Sequence, residues 1–423
     1  MAYNFFATDP FNFNTQLALG GIYSGCGDLG EMLATTARIV EGDADSWCDS
    51  WTAIAQRVAT IADDCAAAGH PVSARAAYLR ASAYYALALS AVDGTRDPSA
   101  RLLPIFREHR RCFEAYVVRL EPPGQPLQIP YQDITMPGYL FRPDASGRPR
   151  ATLILNNGSD ACLTTLWPPL GAGGVARGYN VLIFDGPGQQ SMLFERGVPF
   201  RYDWEHVITP VVDYLLTRPD VDATRIALWG GSQGGFWAPR ALAFEHRLAA
   251  GIADPGVYDA FEPWWNALSE PMRRCLRAGD QPGFDRLMQE SLQHGSPAQR
   301  QNWEWRAKPY GTSSPYEVFV EARRYSLAGV VEAISTPMLI TDPEGEQFWP
   351  GQSRRLYDAL RGPRQLVAFT AEEGADRHCE PLARSLLEQR VYDWLDETLA
   401  ATDDATRLDK TSREPGLAAG IHA

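Results

Sequence analysis

Apolar residues recur at helical spacing through the first third of the chain. Trp47, Trp51, Ile54, Val58, Ile61 and Cys65 step by four, three, four, three and four, which puts them on one face of a helix. Ahead of them, Asp28 and Glu31 have capping-box spacing. Pro71 and Ser73 open a further helix through Tyr78, Tyr85 and Leu89, and another is predicted over roughly 99–119. Residues 1–25 are aromatic but aperiodic (Phe5, Phe6, Phe11, Phe13, Tyr23) and read as irregular. Residues 1–122 are therefore predicted as an all-helical N-terminal domain that caps a substrate pocket.

Near residue 126 the period becomes two. Leu127, Ile129 and Tyr131 alternate as in a strand with one buried face, and PGYLFRP follows as its antiparallel neighbour. Short apolar runs ending at turn residues come next: ATLILNNG, NVLIFDGPG, RIALWGGS, AGIADPG, PMLITDPEG and RQLVAFTAEEG. Most are separated by enough chain for a helix, and strands apolar on both faces imply a mostly parallel sheet flanked by helices. This predicts an α/β catalytic domain over 123–400. Between AGIADPG and PMLIT lies a Trp- and Arg-rich stretch too long for one crossover helix, so a helical lid is predicted at about 257–333. Residues 401–423 are polar and aperiodic and read as a disordered tail.

The chemistry concentrates at the ends of these strands. Gly230-Gly231-Ser232-Gln233-Gly234 satisfies G-x-S-x-G, follows the strand RIALW and precedes a helical run. That is the context of a nucleophile elbow, in which glycines let the strand turn sharply and leave the Ser exposed at the sheet edge. A Ser hydroxyl needs a base, and His378 lies in EEGADRHCE after the last strand. A carboxylate must hold the imidazole, and the loop after PMLIT offers Asp342, Glu344 and Glu346. Glu346 fits the spacing P-x(8)-acid-x(3)-P between Pro337 and Pro350; Asp342 at the strand tip is the alternative, and Asp254 a third option. The oxyanion would be held by the backbone N–H of Gln233 and by one from Gly158 or Ser159. Phe5 and Phe6, the lid's Trp264 and Glu262 are candidate substrate contacts, with core packing or solvation as the bland alternative for each.

Composition narrows the partners. The net charge of −13 and the lack of a Lys/Arg run argue against nucleic acid. No apolar run is long enough for a membrane span, and the start MAYNFFATDPFNF lacks the basic segment of a signal peptide. Seven scattered cysteines without a CxxC pair suggest reduced, cytoplasmic usage and no metal site. GAGG at 171–174 lacks the Lys-Ser/Thr of a phosphate loop, so no cofactor is expected.

With GGSQGG, DGPGQ and EEGADRHCE in place, the chain resembles the α/β-hydrolases that carry an N-terminal helical domain. That group includes 2,6-dihydroxypseudooxynicotine hydrolase and the fungal pigment-pathway hydrolases that shorten polyketides. The resemblance spans about residues 5–400. It implies a triad of Ser232, Glu346 or Asp342, and His378, hydrolysis of a carbon–carbon bond beside a ketone in a small aromatic or polyketide-like substrate, and often a homodimer. Gln190 departs from it, standing where a small residue is expected. An ordinary carboxylesterase or peptidase, an acyl transferase or cyclase, and a catalytically silent binding protein remain as other readings of the same scaffold.

Overall fold

The computed structural model describes residues 4–412. Its N-terminal part is helical: α1 (Asp9–Gly21), α2 (Leu29–Thr36), α3 (Ala44–Ala67), α4 (Pro71–Leu89) and α5 (Pro98–Val117). The start signals work as local chemistry requires. Asp28, Asp43 and Asp97 each accept an N–H of the first turn of α2, α3 and α5, while Pro71 and Pro98 begin α4 and α5, where no N–H is needed. Trp47, Trp51, Ile54 and Val58 are buried on α3, but Ile61 is exposed near its end. One expectation is corrected: residues 9–21 are not irregular but form α1. This helix buries polar Asn12, Thr15 and Gln16 beside Phe11 and Ala18, so no clean apolar period marks it.

An eight-stranded sheet follows, in the order β1-β2-β4-β3-β5-β6-β7-β8. The strands are β1 (Gln125–Tyr131), β2 (Ile134–Phe141), β3 (Arg150–Asn156), β4 (Asn180–Phe184), β5 (Val221–Gly231), β6 (Ala250–Asp254), β7 (Met338–Pro343) and β8 (Arg364–Phe369). β1 pairs antiparallel with β2 and β2 with β4; every later pairing is parallel. Successive residues of β3 face opposite cores. Leu153 and Leu155 pack with the N-terminal helices, whereas Ile154 packs on the other side of the sheet.

Between the strands run α6 (Ala172–Ala176), α7 (Gln190–Phe194), α8 (Glu205–Leu216) and α9 (Gly234–Leu242). The long stretch between β6 and β7 folds as α10 (Glu262–Ala267), α11 (Glu270–Ala278), α12 (Gln281–His294), α13 (Pro297–Ala307) and α14 (Pro315–Ala322). This insertion has a small core of its own around Phe261, Met272, Leu276, Phe284 and Phe319. α15 (Gln352–Ala359) and α16 (Arg384–Ser412) complete the chain. The tail expected from 401 is helical as far as Ser412, as a continuation of the helix that begins at Arg384. The rest of that expected tail lies outside the described residues. No described helix is long and apolar enough to cross a membrane.

Candidate active site

β5 delivers Ser232 to the carboxyl-end rim of the sheet and α9 starts two residues later. Ser232 has φ +56, a left-handed conformation costly for a side-chain-bearing residue and tolerated where the surroundings enforce it. Glycine is obligatory beside it: a Cβ on Gly230 would lie 2.0 Å from the Gly234 carbonyl oxygen. The Ser232 N–H donates to the Asp254 carbonyl at 2.7 Å, tying the elbow to the end of β6.

Two loops complete the constellation. His378 follows β8, and its Nδ1–H donates to Glu346 Oε2 at 2.8 Å. A carboxylate can only accept, so Nδ1 carries the proton and Nε2 is the basic nitrogen; it accepts from Ser232 Oγ at 2.9 Å. The side chains of His378 and Glu346 are each 5% exposed. The other oxygen of Glu346 accepts the N–H groups of Phe348 and Trp349 at 2.8 and 3.1 Å. Burial alone would raise the Glu346 pKa, but His378 and these hydrogen bonds outweigh it and hold the carboxyl below its usual range. Asp342 sits on β7 opposite Ala368, with its pKa raised by burial, and the His378 Nδ1–H goes to Glu346 rather than to it.

Asp254 is not the third member of this chain, yet it lies just behind it. It is fully buried and accepts from Thr341 Oγ1 at 2.8 Å. Glu380, two residues past His378, is also fully buried, and both of its carboxyl oxygens lack a hydrogen-bond donor, as does Asp254 Oδ2. Burial raises the pKa of both acids, and each interacts with the other. The charge of Arg384 only partly offsets this; its Nη1 donates to the Cys379 carbonyl at 2.6 Å.

Gly158 packs directly on the Ser, so close that a Cβ there would be 2.7 Å from Ser232 Cβ. Its own N–H is taken by Asn157 Oδ1 at 2.9 Å, whereas the N–H groups of Ser159 and Gln233 make no hydrogen bond to protein among the described residues. Of the expected oxyanion donors, Gln233 and Ser159 are thus the free pair. Sequence reasoning missed the brace of this loop: Gln189 Nε2 donates to the carbonyls of both Asn157 and Gly158 at 2.9 Å. DGPGQ was visible as a loop, but nothing in its spacing revealed that contact.

Beside Gln233, the residue after the Ser, lies a cleft. Ser159 and Gln233 form one side, Leu193, Phe194 and Phe200 another, and Trp264, Trp305, Arg306, Lys308 and Tyr310 of the insertion cover it. Trp305 Nε1–H donates to Asp160 Oδ2 at 3.0 Å, and Lys308 pairs with Asp93 of the N-terminal helical part. Of the four candidate substrate contacts only Trp264 lines the cleft. Phe6 packs against Phe11 and Trp47 in the helical core, and Phe5 is exposed. Glu262 pairs with Arg355 and accepts from Gln352, because Gln352 and α15 lie beside the start of α10. The N-terminal aromatic that reaches the triad is Phe13, 6.1 Å from the His378 ring, with Phe348 at 4.7 Å on the same imidazole.

A mostly parallel sheet, a Ser at a strained strand–helix turn and an imidazole after the last strand define an α/β-hydrolase. The model of the prolyl oligopeptidase family matches residues 175–274. Hydrolase LUC6 of a Fusarium species is 30% identical over 94% of this chain and 99% of its own. The 20-hydroxy-prefusarin hydrolase FUS2 of Gibberella moniliformis is 29% identical over 94% of this chain and 99% of its own. The solved structure of 2,6-dihydroxy-pseudo-oxynicotine hydrolase superposes with a TM-score of 0.71 and 20% identity, covering 90% of this chain and 96% of that one. The chain belongs to the family of α/β-hydrolases represented by these fungal enzymes, and it is a hydrolase.

Proposed function

We propose that the protein is a serine hydrolase that cleaves a carbon–carbon bond next to a ketone in a small aromatic or polyketide-like molecule. The observation that carries this reading is the hydrogen-bonded chain from Ser232 through His378 to Glu346, with Gln233, the residue after the Ser, lining an aromatic-walled cleft. Ser232 Oγ adds to the substrate carbonyl as His378 Nε2 takes its proton. Glu346 stabilises the imidazolium, and the Gln233 and Ser159 N–H groups hold the oxyanion. Collapse breaks the bond to the α-carbon, whose electron pair leaves as an enolate and is protonated by the imidazolium. Water, activated by the same His, then releases the carboxylic acid and Ser232. Trp264, Trp305, Phe194, Phe200 and Tyr310 suit a flat, unsaturated substrate, and the insertion acts as its lid. An N-terminal cap over the pocket, a cytoplasmic location in keeping with the scattered cysteines and, through the family resemblance, a homodimer belong to the same reading; light scattering of the purified protein tests the last.

The match to prolyl oligopeptidases over 175–274 favours a second reading, an ordinary esterase or peptidase. Side-by-side turnover of a 1,3-diketone and a short p-nitrophenyl ester separates the two. Fluorophosphonate labelling followed by intact mass tests both at once. An adduct at Ser232, and loss of turnover in Ser232→Ala, are expected; an unlabelled protein would point to a silent binding protein instead.

A further inference from the structure

The Gln233 side chain is unusual for its place. It lines the cleft, is 8% exposed, and its amide makes no hydrogen bond to protein at either end among the described residues. Its Nε2 is shut off from solvent and unpartnered. A buried amide left in this state costs about 1–3 kcal/mol, so it normally has a partner in the working complex. Its neighbours do not behave this way. Gln189 is fully committed to the loop carbonyls, and Gln190 accepts from Cys162 and donates to the Asp160 carbonyl. Gln233 also follows Ser232 directly, so its side chain starts one residue from the atom that attacks.

The proposed reaction develops negative charge at two oxygens, not one. The first is the oxyanion of the attacked carbonyl, for which the Gln233 and Ser159 N–H groups are free. The second belongs to the neighbouring carbonyl. As the C–C bond breaks, its electron pair moves onto the α-carbon and delocalises onto that second oxygen as an enolate. Ester hydrolysis has no such second oxygen on the leaving side of an α-carbon.

We propose that the Gln233 side-chain amide, turned about its last side-chain bond so that Nε2 faces the cleft, donates to this second oxygen, which makes the substrate a 1,3-dicarbonyl compound or a ketone with an equivalent enolisable acceptor. The amide N–H stabilises the departing enolate until the His378 imidazolium protonates its carbon, giving one ketone and the Ser232 acyl ester. One water then yields one carboxylic acid. The charged side chains lining the cleft are Arg306, Lys308 and Asp160; Lys308 is already paired with Asp93, which leaves Arg306 as the cation that can turn to a developing anion. Arg306 donates to Asn302 Oδ1 and makes no ion pair among the described residues. The proposal rests on the carbon–carbon reading of the site.

The test compares a 1,3-diketone with an aryl ester of the same acyl group, using the full-length protein. Gln233→Met keeps the shape and removes the donor; Gln233→Glu replaces it with a repelling charge. The diketone kcat/KM is expected to fall by about 100-fold in Gln233→Met, the scale of losing one preorganised donor, and further in Gln233→Glu. The diketone-to-ester ratio should fall at least tenfold in both, with each variant still folded by circular dichroism. Equal losses on both substrates would overturn the role of the amide while leaving the carbon–carbon reading intact. A wild-type enzyme that turns over the ester but no 1,3-diketone would remove that reading, and this proposal with it.

Discussion

Ser232 and His378 stand 146 positions apart along the chain, yet their contact decides what the carboxylate behind them must do. Glu346→Gln keeps the volume but removes the charge that fixes the tautomer and offsets the imidazolium. Turnover should fall by about 10³–10⁴-fold in steady-state kinetics. Asp342→Asn should change it by no more than the effect of an ordinary surface substitution, roughly ±0.5 kcal/mol. The Ser and the His were legible as residues because each is marked by its neighbours: glycines around one, the end of the last strand before the other. The acid was legible only as a short set. Which of Asp342 and Glu346 faces the imidazole depends on where β7 stops pairing with β8, and the strand reaches Pro343. Asp342 is therefore still within the ladder, and the loop beyond it swings Glu346 to His378.

At the scale of elements, the loop from β8 to α16 carries both the proposed base, His378, and Glu380, which meets Asp254 of β6 in a buried acid pair. Two acceptor-only groups cannot face each other in a dry site unless one keeps its proton. The folded pKa values of Asp254 and Glu380 lie above their unfolded ones, so this pair favours folding below about pH 4, the ordinary carboxylic range, and that contribution is lost as pH rises through the folded values. Glu380→Gln removes one titration. Its stability relative to wild type should therefore grow from pH 4 to pH 8 in urea melts; a constant difference would contradict the shared proton. α13 supplies a second case. Trp305→Phe removes the N–H that meets Asp160 together with part of an aromatic surface lining the cleft, so KM should rise several-fold while kcat is kept. Strands and most helices were readable from periodicity, and β1 to β8 fall where the apolar runs placed them. α1 was not, because its buried face mixes Asn12, Thr15 and Gln16 with Phe11, Ala18 and glycines and so shows no clean apolar period. Phe13 beside His378 could not be found because its ring partners, Phe348 and His378, lie at the far end of the chain.

Across the whole molecule, the N-terminal helices are not an independent bead. Their core is continuous with one face of the sheet, with Phe113 packed on Tyr139 and Tyr116 on Trp167. Arg110 of α5 reaches Asp185 at 3.1 Å, a carboxylate that is fully buried at the end of β4. Arg110→Met should cost about 3–5 kcal/mol in denaturant titration, because it strands a buried charge rather than trimming a surface pair. Loss of both parts in one transition is the expected signature of that shared core.

The cleft has one further consequence. Its floor belongs to the turns after β3 and β5 that carry Ser159 and Gln233, but its roof is assembled from the insertion, α7 and the segment after it that carries Phe200. Roof and floor are therefore free to diverge at different rates. A lineage could exchange Trp264, Phe200 or Arg306 and acquire a new metabolite while the bond-breaking apparatus beneath stays untouched. Laboratory selection for altered substrate scope should accordingly gather its hits in that canopy.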